Sequence, residues 1–377
     1  MFRKRILLAS LLKPVNDTRM YAKLGQSIAK LPSAEVHVAG FHAPLPEQNA
    51  ITFHPIFNFN RISWQRLRAQ WSFWKLLKQL RPQVVVVCTH ELLPLAWWYK
   101  KNYGGQLVYD IQENYQLNLE TQHVYGSFFG KGLGKLVRCM ESALAPAVDY
   151  FLLAEASYAQ ELPFIDRRFT VLQNKYKPPG QPFAEMPHTP VRLKGLPEIQ
   201  LLYTGTISQL YGVMKAISWA EQFHQFAPNS SLTIIGYAPD QKFLQQVRAR
   251  IASLPFVQLI GGDALVPHSQ ILEWESKSHL GLMPYHPHPS TQRCLPTKLY
   301  EYLANGLVVI AQNNPLWEQV LQENQAGACL DFKQPLSQAT IEQILQNTYY
   351  SKGIPKDVFW QQEEEELLSV IEMLLRK

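Results

Sequence analysis

One stretch of the chain reads Pro296-Thr-Lys-Leu-Tyr-Glu-Tyr-Leu-Ala-Asn-Gly306 and continues into the apolar run Leu307-Val-Val-Ile-Ala311. Proline is favoured in the first turn of a helix, and glycine is favoured just beyond the last turn. The β-branched residues that follow favour a buried strand. The stretch therefore predicts a loop, a helix and a strand in succession, as in an α/β protein.

The start of this predicted helix gives the clearest indication of function. The first backbone N–H groups of a helix lack intrahelical partners and carry partial positive charge, so they can hold an anion. Lys298 lies in this first turn, where a cation is unfavourable unless a negative group is nearby, and Glu301 follows one turn later. A phosphate site beside a carboxylate that binds sugar hydroxyls suits a nucleotide sugar. The alternative is an ordinary helix start with a solvated lysine.

Apolar runs and helical patterns alternate along the whole chain. Continuous runs such as Val84–Cys88 predict strands that are covered on both faces, and the proline-rich segment 176–198 predicts a linker. We therefore expect an α/β protein with two doubly wound domains, 1–178 and 199–354, a linker at 179–198, and a C-terminal helix at 355–377 that packs back on the first domain. Ligands of such sheets bind beyond the carboxyl ends of the strands, so we expect a cleft between the domains.

The composition narrows the class of protein. The 377 residues are 46% hydrophobic, which predicts a globular chain. The net charge of +6 fits phosphate-bearing substrates or an anionic membrane surface but is too small to indicate nucleic acid. The four cysteines are scattered, which predicts a reduced, cytoplasmic protein.

The N-terminus has some features of a signal peptide, because basic residues precede the apolar run Ile6–Leu12. The run is short and no small-residue cleavage site follows, so we interpret it as a first buried strand. No run of the sequence is long enough to span a bilayer.

Several segments together resemble the family-4 type of GT-B glycosyltransferases. They cover most of the chain in the order expected for that family: 109–114 (YDIQEN), 140–144 (MESAL), 171–174 (VLQN), 201–206 (LLYTGT) with Gly212, 232–236 (LTIIG) and 296–306. The resemblance implies two facing Rossmann-like domains, an acceptor domain followed by a nucleotide-sugar domain. It also implies retaining, metal-independent transfer to a glycan or lipid-linked acceptor in bacterial surface polysaccharide synthesis, without a cofactor.

The chain departs from the family pattern at four positions. The family usually pairs two glutamates eight positions apart, and the first position here is Arg293 while the second is Glu301. The loop after Gly205 usually carries an arginine and a lysine that bind the diphosphate, whereas this chain has Thr206 and Tyr211. The usual histidine of the segment 109–114 is Gln112. Either Arg293 and Lys298 supply the missing charge, or donor binding is weakened or lost.

The residues that the resemblance assigns to the donor lie in the second domain: Gly205, Thr206, Gly236, Tyr237, Asp263, Leu265, Thr297, Lys298, Leu299 and Glu301. Glycines after strands let backbone N–H groups approach a phosphate, although each is also compatible with a plain βα turn. Tyr237 is a candidate for stacking on the base. Glu301 is predicted to hydrogen-bond the ribose hydroxyls. The alternative, an exposed helix glutamate, is disfavoured because Tyr300 and Leu303 set the buried face of the helix.

The candidate catalytic residues are His90, Glu113, Arg293 and Lys298. His90 follows the Val84–Cys88 strand, where it either contacts a sugar or acts as a base, or has a structural role. Glu113 either orients sugar hydroxyls or has a structural role. Arg293 either binds a diphosphate or lies on the surface.

Three further side chains lie at predicted strand ends. We expect Asp17 to cap the helix that follows it. His286 and His288 are candidates to touch the donor sugar. They have no evident third partner for a metal, so we predict no metal site.

The segment 57–81 mixes aromatic and basic residues, which favours contact with the inner membrane surface or with a lipid-linked acceptor. The alternative is a helix that packs on its sheet and has a solvated basic face. Trp97–Lys101 adds to the same surface. The rival functions are a non-catalytic GT-B protein that binds a sugar or a partner, and a GT-B sugar-nucleotide epimerase. A two-domain solute receptor is disfavoured because the chain shows no export signal.

Overall fold

The computed structural model describes residues 3–45, 50–59, 63–121, 127–178 and 190–376, without the side chains of 127–129. The chain divides into two compact units. Unit 1 comprises Met1–Lys177 with Trp360–Lys377, and unit 2 comprises Pro178–Phe359.

Unit 1 is built on a seven-stranded parallel sheet with the spatial order 3-2-1-4-5-6-7. Its strands are β1 (Lys4–Pro14), β2 (Ala34–Phe41), β3 (Ile51–Phe57), β4 (Val84–Val87), β5 (Gln106–Ile111), β6 (Tyr150–Leu153) and β7 (Phe169–Val171). The order reverses between β1 and β4. Ligands of open α/β sheets bind at such a reversal.

Helices cover both faces of this sheet. They are a π-helix (Thr18–Gly25), α1 (Gln26–Ile28), α2 (Gln65–Leu80), α3 (Leu93–Tyr103), α4 (Tyr115–Thr121), α5 (Ser127–Leu144) and α6 (Tyr158–Glu161), with short 3₁₀ turns at His90–Leu92 and Ala145–Ala147. Along β1, Leu7 and Ala9 belong to one hydrophobic core, and Ile6 and Leu8 belong to the other. The first apolar run is therefore a strand buried on both faces, as predicted.

Unit 2 contains a six-stranded parallel sheet with the order 11-10-9-12-13-14 and a separate two-stranded sheet of β8 and β15. Its strands are β8 (Val191–Arg192), β9 (Ile199–Thr204), β10 (Ser230–Tyr237), β11 (Val257–Gly262), β12 (Leu280–Met283), β13 (Val308–Gln312), β14 (Gly327–Leu330) and β15 (Thr348–Tyr349). Its helices are α7 (Val213–Phe226), α8 (Gln241–Ile251), α9 (His268–Lys277), α10 (Pro289–Gln292), α11 (Thr297–Ala304), α12 (Pro315–Glu323) and α13 (Gln338–Gln346), with a 3₁₀ turn at Lys356–Val358. This sheet reverses its order between β9 and β12.

The last helix, α14 (Gln361–Arg376), belongs to unit 1. The Lys175 ammonium lies 2.7 Å from the buried carboxylate of Glu363. The Ser27 hydroxyl donates to Glu364 at 2.6 Å, and the Trp360 N–H donates to the Tyr176 carbonyl at 2.8 Å. These polar contacts hold the start of α14 against the segment before residue 178.

The predicted α/β class and its two parallel sheets are confirmed. The stretch 296–311 forms α11 and then β13, in the predicted order. The cleft expected between the domains stays a prediction. Among the described residues, no helix is both long enough and apolar enough to cross a bilayer.

The first half of the predicted linker, 179–189, lies outside the described residues. Its second half differs from the prediction of a linker without regular structure. Strand β8 pairs antiparallel with β15, and Leu193 is fully buried in unit 2. The local sequence is rich in proline and lacks periodicity, so it cannot reveal a pairing with residues more than 150 positions away.

Candidate functional site

The candidate site in unit 2 lies where the carboxyl ends of β9 and β10 meet the first turn of α11. Gly205 follows β9 with a φ of +97°, a conformation that strains any residue with a side chain. A β-carbon on Gly205 would lie 3.2 Å from the Lys298 ammonium, and one on Gly236 would lie 1.7 Å from the Gly205 carbonyl oxygen. The two loops and the helix start therefore meet closely, with no room for a side chain at Gly236 and a strained backbone at Gly205.

Lys298 is held by groups of unit 2. Its ammonium donates to the carbonyl of Thr204. It also lies 4.9 Å from the ring centroid of Tyr203 and 5.1 Å from that of Tyr285, and the ring of Tyr211 is 5.9 Å away. A cation in this tyrosine cage (Tyr203, Tyr211 and Tyr285) is attracted by the negative faces of the rings. The lysine of the first helical turn thus has partners within the protein.

Burial lowers the pKa of Lys298 to about 8, although Glu301 and, when it is ionised, Glu275 act in the opposite direction. A buried ammonium loses the hydration that stabilises its charge, and two nearby acids restore only part of it. Lys298 is therefore a cation at neutral pH that loses its charge in mildly alkaline solution.

Glu301 is buried, with 7% of its surface exposed, although it was predicted to offer a carboxylate to a ligand. The His268 Nε2 atom lies 2.8 Å from Glu301 Oε1. This pair joins the first residue of α9 to α11. The other carboxylate oxygen, Oε2, takes no part in the contact with His268.

Glu275 is a second acid that sequence analysis missed. It is fully buried, and burial raises its pKa well above the usual value, with a further rise from the Glu301 carboxylate and an opposing effect of Lys298. The Asn305 side-chain amide donates to one Glu275 oxygen at 3.3 Å. Glu275 lies three residues after the buried Leu272 on α9, which is the sequence signal for the inward face of a helix.

Tyr302 fixes α11 against β9. Its hydroxyl accepts the backbone N–H of Thr204 at 3.0 Å and lies 3.1 Å from the Thr204 hydroxyl. The ring lies against Gly281 of β12, where a β-carbon would approach it to 2.4 Å. The start of α11 is therefore positioned over Gly205 by a buried hydrogen bond and by close packing.

The other predicted donor residues differ in what they offer. Thr206 is exposed, Tyr237 and Thr297 are half-buried, and Leu265 is largely exposed. The Asp263 carboxylate is paired with the Arg248 guanidinium. The side chain of Leu299 is fully buried in unit 2, and its contact with a donor stays a prediction.

Arg293 follows the short helix α10 and is exposed. His288 caps α10: its Nδ1 atom accepts the N–H of Ser290 at 3.2 Å. Burial lowers the pKa of His286, and the nearby ammonium groups of Lys215 and Lys333 lower it further. Within the described part of the chain, no three histidine, cysteine or carboxylate side chains are grouped to hold a metal ion.

In unit 1, His90 begins the 3₁₀ turn after β4, close to the reversal of the sheet order. Its ring packs edge-on against Tyr115, with 4.4 Å between centroids. Burial lowers the pKa of His90 to about 4, with a further contribution from the Arg66 cation. Its Nδ1 atom is buried without a hydrogen-bond partner among the described residues. His90 is thus a neutral imidazole with one unused ring nitrogen.

Glu113 is exposed and accepts the Asn118 side-chain amide at 2.9 Å. Gln112, at the position of the usual family histidine, donates to Asp110 at 2.8 Å. Asp110 is fully buried and forms an ion pair with Arg19 at 2.7 Å. Asp17 accepts the N–H groups of Arg19 and Met20, so the predicted helix cap is confirmed.

Comparison with known proteins gives matches to solved structures alone. No family model matches the chain, and neither does any curated protein. Sucrose-phosphate synthase from Thermosynechococcus elongatus is similar with a TM-score of 0.70 at 12% identity, and the match covers 99% of this chain and 100% of that one. The chain has the GT-B fold.

Two other solved structures with this fold are similar over nearly the whole chain. HepE from Anabaena, in complex with UDP and glucose, has a TM-score of 0.61 at 13% identity, covering 99% of this chain and 98% of that one. WaaG, a glycosyltransferase of lipopolysaccharide biosynthesis, has a TM-score of 0.60 at 15% identity, covering 97% and 95%. At identities of 12% to 15%, the similarity to these structures concerns the fold alone.

Proposed function

We propose that this GT-B protein is a glycosyltransferase that moves a sugar from a nucleotide-sugar donor to a glycan or lipid-linked acceptor. We further propose that transfer retains the anomeric configuration without a metal ion, in bacterial surface polysaccharide synthesis at the cytoplasmic face of the inner membrane. The observation that carries the proposal is the contact of the Gly205 loop with the first turn of α11, where Lys298 lies between the two.

The chemistry needs a site for the leaving diphosphate. Negative charge builds on that group as the bond to the anomeric carbon breaks, and fixed hydrogen-bond donors lower the barrier. In the proposed site, backbone N–H groups in the first turn of α11 and the backbone at Gly205 and Thr206 face the diphosphate. Lys298 and Arg293 supply the positive charge that the family usually places at the positions of Tyr211 and Thr206.

The nucleoside is proposed to lie beside β10 and β11. Glu301 would bind the ribose hydroxyls through Oε2, since His268 occupies Oε1. Tyr237 would stack on the base, with Asp263 and Leu265 at its edge. The HepE structures support a nucleotide sugar as the ligand, because that GT-B protein was solved with UDP and with UDP-glucose.

His90 and Glu113 are the proposed polar groups for the transferred sugar and the acceptor. The side chain of His90 is partly exposed, and a neutral imidazole can exchange a hydrogen bond with a sugar hydroxyl between pH 6 and 8. The exposed carboxylate of Glu113 can accept a hydrogen bond from a second hydroxyl.

Nucleotide release from a panel of UDP-, GDP-, dTDP- and ADP-linked sugars tests the proposal. We expect one donor class to be bound and slowly hydrolysed, and Lys298→Ala to lower kcat/KM by about 100-fold. Lys242→Ala is the matched control, because Lys242 is an exposed lysine on α8. The proposal fails if no donor binds, or if both variants behave like the wild type.

A non-catalytic GT-B protein that binds a sugar or a partner is the main alternative. It is favoured by Thr206, Tyr211 and Gln112, which replace the usual cations and histidine. Donor affinity without turnover, in the presence of varied acceptors, would support it.

A sugar-nucleotide epimerase is the second alternative. A structure described as a putative UDP-N-acetylglucosamine 2-epimerase from Listeria monocytogenes is similar with a TM-score of 0.55 at 13% identity, covering 100% of this chain and 88% of that one. Isomerisation of the sugar in a nucleotide sugar, with no acceptor present, would distinguish this activity from transfer.

A further inference from the structure

Helix α2 of unit 1 presents large apolar side chains to solvent. Trp64, which precedes its first residue, is 87% exposed, Leu67 is 65% exposed and Trp71 is 58% exposed. At 3.6 residues per turn, these three lie on one side of the helix, and the buried residues Ala69, Phe73, Leu76 and Leu77 lie on the other. Packing within unit 1 therefore buries the second side of α2. It leaves Trp64, Leu67 and Trp71 exposed.

The same side of α2 is positively charged. Arg68, Lys75 and Lys78 are exposed along this side, and the helix contains no aspartate or glutamate. The Lys75 ammonium lies 5.8 Å from the Trp71 ring centroid. We call the residues Trp64, Leu67, Arg68, Trp71, Lys75 and Lys78 the aromatic–basic face.

Helix α3 packs against α2 and also carries exposed aromatic rings. The rings of Trp74 on α2 and Tyr103 on α3 lie 6.2 Å apart, and Tyr103 is 46% exposed. Trp98 is exposed to the same extent, and the Lys101 ammonium lies 5.9 Å from its ring. Two adjacent helices thus combine exposed aromatic rings with cations.

We infer that the aromatic–basic face docks unit 1 onto a bilayer that contains anionic lipid, with α2 lying in the plane of the interface. Tryptophan prefers the headgroup level of a membrane, and lysine and arginine are attracted to anionic headgroups. A second copy of the chain is a poorer partner for this face, because two identical basic surfaces repel each other. The inference deepens the membrane part of the proposed function and rests on it for its setting.

Sedimentation with vesicles tests the inference without donor or acceptor. Wild-type protein is mixed with vesicles of phosphatidylcholine alone or with about 30% phosphatidylglycerol. We expect binding to the anionic vesicles, weakening as salt is raised, and a blue shift of tryptophan fluorescence. The triple variants Trp64→Ser/Leu67→Ser/Trp71→Ser and Arg68→Gln/Lys75→Gln/Lys78→Gln should each bind at least about tenfold more weakly.

Two controls separate this face from general charge and hydrophobicity. Lys242→Gln/Lys352→Gln/Lys356→Gln removes the same charge from exposed positions of unit 2, and Phe226→Ser removes an exposed ring there. Both should bind vesicles within about twofold of the wild type. Circular dichroism and nucleotide affinity, measured on all variants, show whether a loss concerns the membrane or the proposed donor site.

Three results would overturn the inference. They are the absence of binding to anionic vesicles, an equal loss in the unit 2 controls, and a dimer in analytical ultracentrifugation that the Trp64→Ser/Leu67→Ser/Trp71→Ser variant abolishes. The last result would assign the face to a second copy of the chain.

Discussion

Gly236 lies so close to Gly205 that a β-carbon on it would stand 1.7 Å from the Gly205 carbonyl oxygen. The Gly205 N–H in turn donates to Ile235 of β10 at 2.9 Å. Backbone therefore packs on backbone where β9 and β10 end. The two candidate donor loops therefore hold each other in place through a backbone hydrogen bond and close backbone contact.

Gly236→Ala should disrupt both stability and donor binding, because the added methyl group has no space. We expect the free energy of unfolding to fall by about 3 kcal/mol and nucleotide affinity to fall at least about tenfold. Gly132→Ala is the control, since a β-carbon there meets nothing within 4 Å; in a helix it should stabilise slightly. Urea unfolding and calorimetry check both, and equal effects of the two variants would contradict the packing argument.

Glu275→Gln should make stability less dependent on pH. The folded pKa of Glu275 is raised by burial and by the Glu301 carboxylate. Above pH 4.5 the unfolded chain releases this proton while the folded chain keeps it. The stability of the wild type should therefore fall relative to the variant as pH rises, by at most about 1.4 kcal/mol per pH unit. The difference should be constant below pH 4.5.

Urea unfolding of both proteins between pH 4 and 8 measures that difference. Glutamine keeps the shape and can still accept the amide of Asn305, so a loss of fold is not expected. A difference that does not change with pH would show that Glu275 is ionised in the folded protein.

Donor binding should weaken in alkaline solution because Lys298 loses its charge there. Its pKa is lowered by burial to about 8. The charge that is proposed to face the diphosphate is therefore lost above pH 8, and nucleotide affinity should fall there. Lys298→Met removes the charge at all pH values, so it should bind at least about tenfold more weakly, without this pH dependence.

Isothermal titration with the donor nucleotide at pH 7, 8 and 9 measures the effect. Lys242→Met is the control and should follow the wild type. An unchanged affinity of the wild type from pH 7 to 9 would mean that the Lys298 charge does not contribute to binding.

His90 should make the protein sensitive to acid. Its pKa is lowered by burial and by the Arg66 cation to about 4, so the unfolded chain takes up a proton below pH 6.5 that the folded chain refuses. Stability is lost as pH falls from 6.5 to 4, by up to about 3 kcal/mol. His90→Asn should lack this loss when the two proteins are compared by urea unfolding.

The same variant separates a catalytic role of His90 from a structural one. If His90 contacts the sugar, His90→Asn should lower kcat by about 100-fold and leave nucleotide affinity near the wild-type value. A parallel loss of stability and affinity with normal kcat would assign His90 to structure.

Much of the fold was predictable because local sequence controls it. The run Ile6–Leu12 lies in β1 and the run Val84–Cys88 contains β4, as predicted, because short apolar segments between polar turns favour buried strands. The proline and glycine at the two ends of 296–306 indicated α11 in the same way. The helix α3 was missed because it is apolar on nearly all sides and shows little periodicity.

The candidate site was predictable in part. Gly205, Gly236 and Lys298 were named from the sequence, and the structure brings them together. The tyrosine cage, the pair of His268 with Glu301 and the buried Glu275 were not predicted as a group. Each joins residues from different elements, so no pattern within one helix or strand could indicate them.

The sequence by itself determined the order of strands and helices, because turn residues and apolar periodicity act over a few neighbours. The tertiary structure alone decided that Lys298 enters a tyrosine cage, that the side chain of Leu299 is fully buried, and that Trp64 and Trp71 are exposed. Burial and charge at these positions depend on which distant elements pack together, and that packing sets the desolvation that shifts the pKa of each group.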